Sequence, residues 1–326
     1  MNKVRSALRA MGTRFEIVLY GERELYLKTV AEEVFREIER LEAKLSYYNE
    51  SSDIYDLNLR AAQAPVLLDP PLFHLLEQAK RYSEESAGAF DITVAPLLEC
   101  WGFVGGTGAL PTEERIAEAL ERVGMHHLHL DSSNYSAFFD VEGVRIELGA
   151  IGKGYAIAQC VEMLKDFEIE SALLHGGTSS VYALGTPPDA EGWQVAVQSP
   201  RSEALLAHIA LKDFSLSVSA PRNKGFQAGG KRYGHVLDPR TGTPIPTHLL
   251  SALACASPLV GDAFSTALLV QGKEWFSALS TLLPEAHALF VKETETEKEE
   301  IACLVCKDCG TLGFTIMEPN PTIPPS

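Results

Sequence analysis

The segment VRIELGAIGKGYA, residues 144 to 156, contains three different patterns in succession. From Val144 to Leu148, apolar and charged residues alternate, which predicts a half-buried β-strand. A glycine-rich turn that contains Lys153 follows. From Tyr155 onward, apolar residues recur every three or four positions, which is typical of a helix. The segment therefore predicts a strand that leads through a tight turn into a helix.

Such a turn has two possible uses. The free backbone N–H groups at the start of a helix point at one place, and this arrangement suits a phosphate. The spacing excludes a P-loop, because Gly154 follows Lys153 where Ser or Thr is needed, and the order G-x-x-G-x-G differs from the dinucleotide fingerprint. An anion-binding turn and a turn needed only for packing both remain open at this point.

Length and charge limit the possible architectures and partners. With 326 residues, 46% of them apolar, the chain is long enough for one large domain or two closely joined domains. Its formal net charge of -16 argues against nucleic acid and anionic membrane surfaces as partners. Because an acidic protein repels phosphate, a phosphate ligand would require a divalent cation or a well-placed lysine.

No part of the sequence predicts export or membrane insertion. The first ten residues are basic without an apolar run, and no later window reaches the roughly 18 apolar residues of a membrane-spanning helix. The six cysteines are widely spread, which fits reduced thiols. We therefore expect a cytoplasmic protein without a membrane anchor. Cys303, Cys306 and Cys309 are spaced C-x-x-C-x-x-C and are interpreted either as metal ligands lacking a fourth partner or as small side chains of a late strand.

Hydrophobic periodicity predicts both helices and strands along the chain. The expected strands lie at residues 11–21, 193–198, 207–211 and 216–219, with a hairpin at 226–236 and a closing pair at 288–291 and 301–306. The expected helices lie at residues 27–45, 70–86, 112–123, 262–272 and 273–283.

Several of these segments, in this order, resemble the ApbE family, the FAD:protein FMN transferases. The matching segments are MGTRFEI, LSYYNESSDIYDLN, GAFDITVAPLLECWGF, ELGAIGKGYA, SALLHGG, YGHVLDPRTGTP and GDAFSTALLVQG. The resemblance implies an α+β fold, with mixed or antiparallel sheets, packed helices and two lobes around one flavin cleft. It also implies a flavin transferase domain over residues 1–290, with residues 291–326 forming a closing strand pair and tail of the same domain.

The resemblance implies an activity as well. Members of the family bind FAD with Mg²⁺ and transfer FMN to a threonine hydroxyl of a target protein, releasing AMP. Some members instead hydrolyse FAD to FMN and AMP. The expected partners are therefore FAD, Mg²⁺ and a threonine-containing acceptor protein.

The metal and catalytic residues follow from matching positions. Asp262 and Thr266 are four residues apart, so on a helix their oxygens point from one face, as a hard cation requires. The resemblance implies that both are Mg²⁺ ligands, together with the backbone carbonyl of Ala150, and that Asp262 is catalytic. His235 is our choice of general base, because the unperturbed pKa of histidine, about 6.5, suits proton transfer near neutrality. The alternative is a histidine that caps the hairpin.

The expected contacts to FAD come mainly from loops. Burying the carboxylate of Asp91, between Phe90 and Ile92, costs free energy unless a partner is present. The alternative role of Asp91 is to close a turn or cap a helix. Serine and asparagine in loops likewise often serve only as caps. The expected cofactor-binding residues are Met11, Ser52, Asn58, Asp91, Thr93, Lys153, Thr178, Ser219, His235 and Asp238.

Three positions depart from the family pattern. Ala158 replaces an acidic residue, Thr178 replaces an acidic or amide residue, and Ala220 replaces a glycine. These departures leave two alternatives to the transferase: an FAD pyrophosphatase, in which water replaces threonine, and a catalytically weak flavin-binding paralogue.

Overall fold

The computed structural model of the chain describes residues 1–106, 108–199, 204–221, 225–293, 299–304 and 313–317. Within these residues the α-helices are α1 (Glu24–Leu45), α2 (Asp53–Arg60), α3 (Pro70–Glu85), α4 (Ala95–Cys100), α5 (Glu113–Leu120), α6 (Gly152–Asp166), α7 (Pro258–Gln271) and α8 (Phe276–Leu282). The strands are β1 (Asn2–Ala10), β2 (Thr13–Gly21), β3 (Val66–Leu67), β4 (Leu128–Asp131), β5 (Ser136–Phe139), β6 (Ser171–Gly176), β7 (Ser180–Leu184), β8 (Trp193–Gln198), β9 (Leu205–Leu211), β10 (Phe214–Ser219), β11 (Gly225–Ala228), β12 (Lys231–Gly234), β13 (Leu237–Asp238), β14 (Thr243–Pro244), β15 (Leu249–Cys255), β16 (His287–Glu293), β17 (Glu299–Leu304) and β18 (Thr315–Ile316).

A sheet of eight strands organises the molecule, in the order β1-β2-β6-β7-β10-β15-β16-β17. All neighbouring strands in it are antiparallel. Helices α1, α6 and α7 cover one face, and the small sheet β18-β9-β8 packs on part of the other. The prediction of an α+β fold with antiparallel sheets and packed helices is confirmed.

Alternation of apolar residues explains why β2 lies beneath two helices. Phe15, Ile17 and Leu19 are fully buried and point to the same side of the strand. They pack against α1 through residues such as Val34 and against α6 through residues such as Ile157. Both helices have apolar residues every three or four positions, so one stripe of each faces the sheet.

A second group of elements surrounds the small sheet β3-β5-β4. Its core includes Leu57 of α2, Leu76 of α3, Phe90 and Phe139, and it is continuous with the apolar side of α7 at Phe264. None of the helices in the described part of the chain is long and apolar enough to span a membrane.

Strand β1 was not predicted from the sequence. It pairs with β2 along its whole length and lies at the edge of the sheet. Only Val4 and Ala10 of this strand are buried. An edge strand with one solvated face needs few apolar residues, so its composition resembles that of a polar loop.

Residues 144–148 alternate in burial as predicted, but they do not form a regular strand. Their backbone makes one isolated bridge, between Val94 and Arg145. The side-chain amide of Asn58 takes the place of a neighbouring strand, because it accepts from the N–H of Ile146 (2.7 Å) and donates to its carbonyl (2.9 Å). The period of two was correct. The pairing comes from the Asn58 amide and from the N–H of Glu147, which donates to the carbonyl of Ile92 (2.8 Å).

Helix α6 begins at Gly152, three residues before the predicted start. The first-turn N–H groups of Gly152 and Tyr155 donate to the carbonyls of Leu148 and Ile151, so the glycine turn already belongs to the helix. Gly154 allows α7 to approach closely. A Cβ atom at this position would lie 2.3 Å from the carbonyl oxygen of Pro258.

The end of the chain adds strands to the main sheet. The boundary at residue 290 that the resemblance implied falls inside β16, which pairs with both β15 and β17. Cys303 is an exposed free cysteine in β17. Cys306 and Cys309 lie outside the described residues, so the interpretation of this cysteine motif stays a prediction.

Gly154→Ala is expected to destabilise the protein by about 1–3 kcal/mol, because the added methyl group overpacks the contact between α6 and α7. The measurement is the free energy of unfolding in urea. Gly152→Ala is the matched control, since its added Cβ would have its nearest neighbour at 3.9 Å and alanine favours a helix over glycine by about 1 kcal/mol. Equal stability of Gly154→Ala and wild type would contradict the close packing of the two helices.

Candidate active site

Asp262 lies in the second turn of α7, where this helix meets the start of α6. Its Oδ2 accepts a hydrogen bond from the N–H of Gly154 (2.8 Å), and its Oδ1 accepts one from the hydroxyl of Ser180 (3.0 Å). The ammonium group of Lys153 is 3.8 Å from Oδ2. Asp262 is only 5% exposed. A carboxylate this buried requires such partners, and they join three elements at one point.

A cluster of hydroxyl groups lies one turn along α7 from Asp262. Thr266 is one helical turn further along α7, and its hydroxyl donates to the backbone carbonyl of Asp262 (3.4 Å). The hydroxyl of Ser219, at the end of β10, is 3.2 Å from that of Thr266 and 2.9 Å from that of Ser265. The predicted site residues Asp262, Thr266 and Ser219 are therefore brought together.

The turn before α6 offers fewer free backbone N–H groups than an anion-binding turn would. The N–H groups of Gly152, Gly154 and Tyr155 are all bonded within the protein. The interpretation of the turn as a bare phosphate cradle is therefore wrong for these three donors. The N–H groups of Gly152 and Tyr155 bond to the preceding turn, and that of Gly154 bonds to Asp262 of α7. Lys153 remains the cation of the turn, and its Nζ donates to the carbonyl of Gly149 (3.3 Å).

The donor atoms assembled here are oxygens. They comprise one carboxylate and the hydroxyls of Thr266 and Ser219, and Ala150 lies half-buried in the turn just before α6. Oxygen donors suit hard cations such as Mg²⁺, which commonly uses one or two carboxylates together with phosphate oxygens and water. Among the described residues no group of three or more His, Cys, Asp or Glu side chains is placed to hold a metal ion.

Contacts between aromatic rings stabilise the hairpin of β11 and β12, which precedes His235. Phe226 of β11 stacks on Tyr233 of β12, with 5.4 Å between ring centroids. Two further rings follow α4. Trp101 contacts Tyr233 with 5.5 Å between ring centroids, and Phe103 contacts Phe226 with 5.6 Å between ring centroids. His235 directly follows β12 and is half-buried.

The hairpin also contacts the end of β10. A Cβ atom at Gly234 would lie 2.5 Å from Pro221, which is two residues beyond Ser219. The chain before His235 is thus packed against the segment that follows the hydroxyl cluster, 13 residues earlier in the sequence.

Asp238 is used within its own turn. Its carboxylate accepts from the backbone N–H (2.9 Å) and the guanidinium (2.9 and 2.8 Å) of Arg240. Arg240 also donates to Gln271 at the end of α7 (3.2 Å). This turn therefore connects the hairpin to the helix that carries Asp262.

Asp91 closes a buried turn, as its alternative interpretation predicted. Its Oδ1 accepts from the N–H (2.7 Å) and the hydroxyl (2.5 Å) of Thr93, and its Oδ2 accepts from the N–H of Met125 (3.1 Å). Burial raises the pKa of Asp91, and the hydrogen bonds from Thr93 and Met125 oppose that rise. The hydroxyl of Thr93 accepts from Gly124 (2.7 Å). The two side chains thus join residues 91–93 to residues 124–125.

The three predicted amino-terminal contacts also support the backbone. Ser52 caps α2 by accepting from Tyr55 (3.0 Å), and Asn58 pairs with Ile146 as described above. Met11 has a left-handed backbone, with φ of 49°, and its N–H donates to Glu42 of α1 (2.6 Å). The side chains of Ser52 and Asn58 and the backbone of Met11 position loops, and direct contact with FAD stays a prediction for each.

Thr178 lies exposed in the turn between β6 and β7, two residues before Ser180. Ala158 packs at the border of the core around the sheet β3-β5-β4, and Ala220 packs at the border of the core beneath the sheet β18-β9-β8. Sequence reasoning missed Ser180 and Glu42. The run of three hydroxyl residues after the glycine pair, which ends at Ser180, was a usable signal for that residue. No local pattern distinguishes Glu42 from the other acidic residues of α1.

Comparison with known proteins gives a consistent result. Residues 11–290 match the model of the ApbE family. A protein from Treponema pallidum named FAD:protein FMN transferase is 30% identical, with 86% of this chain and 82% of the relative aligned. A protein of the same name from Klebsiella pneumoniae is 30% identical over 86% of each chain.

Solved structures show the same fold. The ApbE protein from Thermotoga maritima superposes with a TM-score of 0.84 at 30% identity, covering 92% of this chain and 96% of the other. The flavinyl transferase ApbE from Pseudomonas stutzeri, in its apo form, gives a TM-score of 0.79 at 28% identity, covering 93% and 94%. The resemblance inferred from the sequence motifs is confirmed, and the chain belongs to the ApbE family.

Proposed function

We propose that this chain is a Mg²⁺-dependent FAD:protein FMN transferase. The observation that supports the proposal has two parts. The ammonium group of Lys153 lies 3.8 Å from the Asp262 carboxylate, and the hydroxyl of Thr266 contacts both the backbone carbonyl of Asp262 and the hydroxyl of Ser219. The relatives that carry this name align over most of the chain. The cytoplasmic location expected from the sequence stays a prediction.

In this proposal Asp262, Thr266 and the carbonyl of Ala150 would hold a Mg²⁺ ion. A carboxylate oxygen accepts about two hydrogen bonds, so each Asp262 oxygen has capacity beyond its single described hydrogen bond, to Gly154 or to Ser180. When bound, Mg²⁺ supplies neutralisation of the negative charge on the diphosphate of FAD. Lys153 adds a second positive charge on the same side, which offsets the acidic character of the whole protein.

The other predicted contacts shape the FAD pocket. We assign the flavin and its phosphates to the region bordered by Met11, Ser52, Asn58, Asp91, Thr93, Lys153, Thr178, Ser219, His235 and Asp238. Most of their described hydrogen bonds are to the protein's own backbone, so we expect them to act mainly by fixing loop conformation.

The proposed reaction is a displacement at phosphorus. The hydroxyl oxygen of an acceptor threonine attacks the phosphorus atom of the FMN half of FAD, and a new O–P bond forms. The bond between that phosphorus and the bridging oxygen breaks, and AMP leaves with the bridging oxygen. His235 takes the proton from the threonine hydroxyl, which a weak nucleophile requires.

One assay distinguishes this function from its alternatives. The protein is incubated with FAD, Mg²⁺ and a threonine-containing acceptor protein, and AMP is measured together with flavin fluorescence of the acceptor band. Transfer gives AMP and a fluorescent band. AMP with free FMN indicates an FAD pyrophosphatase, and bound FAD without AMP indicates a catalytically weak flavin-binding protein.

Asp262→Asn is expected to reduce AMP release at least about a hundredfold, because the amide loses a charge and one acceptor at the metal position. The control is Asp213→Asn, which removes the same charge from an exposed turn at the opposite end of β10 from Ser219. Full activity of Asp262→Asn would refute the assigned metal site.

His235→Gln is expected to reduce the rate of transfer on the order of a hundredfold while FAD still binds, since only the proton acceptor is removed. Rate and FAD affinity are measured separately, by single-turnover AMP release and by flavin fluorescence titration. If FAD affinity falls and the single-turnover rate does not, His235 serves binding and the assignment as general base is wrong.

Ser180→Ala is expected to raise the Mg²⁺ concentration for half-maximal AMP release about tenfold, because the Asp262 carboxylate loses the hydroxyl that orients it. Ser180→Thr keeps the hydroxyl and should restore the wild-type value. The neighbouring variant Ser179→Ala is the control. An unchanged Mg²⁺ dependence in Ser180→Ala would show that Ser180 is not a positioning residue.

A further inference from the structure

The outer face of the first two strands carries four cations. Lys3, Arg5 and Arg9 alternate along β1 and are exposed on the side away from α1, and Arg14 of β2 lies directly opposite Arg9. Lys3 lies over the ring of Tyr20, 5.7 Å from its centroid. We call the surface formed by Lys3, Arg5, Arg9 and Arg14 the basic face.

A buried carboxylate fixes part of the basic face. Glu16 is 7% exposed, and it accepts from Arg5 (2.9 and 2.5 Å) and pairs with Arg14 (2.9 Å). The hydrogen bond from Arg5 is the main cause that lowers the pKa of Glu16. The two arginine side chains nevertheless stay 65% and 62% exposed. Their guanidinium groups are therefore held in place and still available to a partner.

Protection of the sheet edge does not explain the whole arrangement. Charges on an edge strand prevent pairing with another chain, and this accounts for cations on β1. Arg14 lies on β2, inside the sheet. Four cations on one face, two of them paired with Glu16, also contrast with the net charge of -16 of the chain, so this surface differs in sign from the protein as a whole.

The basic face adjoins the candidate active site through the backbone. The N–H of Gly177, in the turn between β6 and β7, donates to the carbonyl of Arg14 (2.9 Å). Three residues beyond Gly177, Ser180 donates to Asp262. Arg9 and Arg14 also flank the turn that contains Met11. Arg9 and Arg14 therefore lie at the same end of the sheet as the turn between β6 and β7, which leads to Ser180.

We propose that the basic face binds an acidic segment of the acceptor protein and thereby directs its threonine toward the turn at Gly177. The proposal rests on the proposed transferase function. A short acidic polypeptide fits better than nucleic acid or an anionic membrane, because an extended polyanion would also meet the repulsion of the acidic remainder of the protein.

The test measures binding of a short fluorescent peptide in which one threonine is flanked by aspartates and glutamates. A second peptide has asparagine and glutamine at the acidic positions. The double variant Lys3→Gln/Arg9→Gln removes two cations without exposing Glu16, and Arg36→Gln/Arg81→Gln makes the same charge change on α1 and α3. Fluorescence anisotropy is recorded at about 50 mM and about 300 mM salt.

The wild type should bind the acidic peptide, and binding should weaken at the higher salt concentration. Lys3→Gln/Arg9→Gln should bind it roughly fivefold more weakly, as expected for the loss of two exposed charge contacts. The amide peptide should bind weakly to both proteins, and the α1 and α3 double variant should resemble wild type. Equal binding by Lys3→Gln/Arg9→Gln and wild type, or an equal loss in the control variant, would overturn the proposal.

Vesicles containing phosphatidylserine provide the remaining comparison. If the wild type sediments with them, the double variant Lys3→Gln/Arg9→Gln does not, and the acidic peptide fails to compete, the basic face binds a membrane and the proposal is wrong.

AMP release from FAD is followed in the same preparations. Peptide binding without any AMP release with an acceptor refutes the transferase function alone, whereas AMP release with unchanged peptide binding in the double variant refutes only the docking surface.

Discussion

The hydrogen bond between the carboxylate of Asp262 and the N–H of Gly154 is the interaction on which the centre of the molecule depends. It forms only because α6 and α7 approach so closely that no Cβ fits at Gly154. The same carboxylate holds the start of β7 through Ser180. One buried acid therefore fixes the relative positions of two helices and a strand, and the geometry of the site follows from the packing of the fold.

The sequence allowed accurate prediction where one face of an element is buried. Residues 27–45 and 11–21 have clear periods, and they form α1 and β2 nearly as predicted. Strand β1 was missed because an edge strand buries few side chains. The pairing of Ile146 with the Asn58 amide was also unpredictable, since the two residues are 88 positions apart and no local pattern connects them.

Prediction of the site met a similar limit. The spacing of Asp262 and Thr266 was sufficient to place both on one face of a helix, because four residues make about one turn. The structure shows the side chains of Ser52, Asn58 and Asp91 bonded to the backbone. The cited bonds of Ser52 and Asp91 are local, whereas the Asn58 bond depends on long-range packing. Residue type alone does not distinguish a polar side chain that contacts a ligand from one that holds the loop around it.

The distribution of charge suggests how an acidic protein handles anionic partners. A net charge of -16 disfavours FAD phosphates and acidic polypeptides at long range, where individual charges merge into one field. At short range, cations within a Debye length of about 10 Å of a ligand contribute most to the electrostatic potential that the ligand meets, because more distant charges are screened. Lys153 provides such a cation beside Asp262, and Arg5 and Arg14 provide two more around Glu16.

In both places a buried carboxylate lies next to the cation. Because the paired acid fixes or attracts the basic group, positive charge is concentrated at the few points where the proposed chemistry needs it, while the remaining surface repels anions that lack the matching contacts.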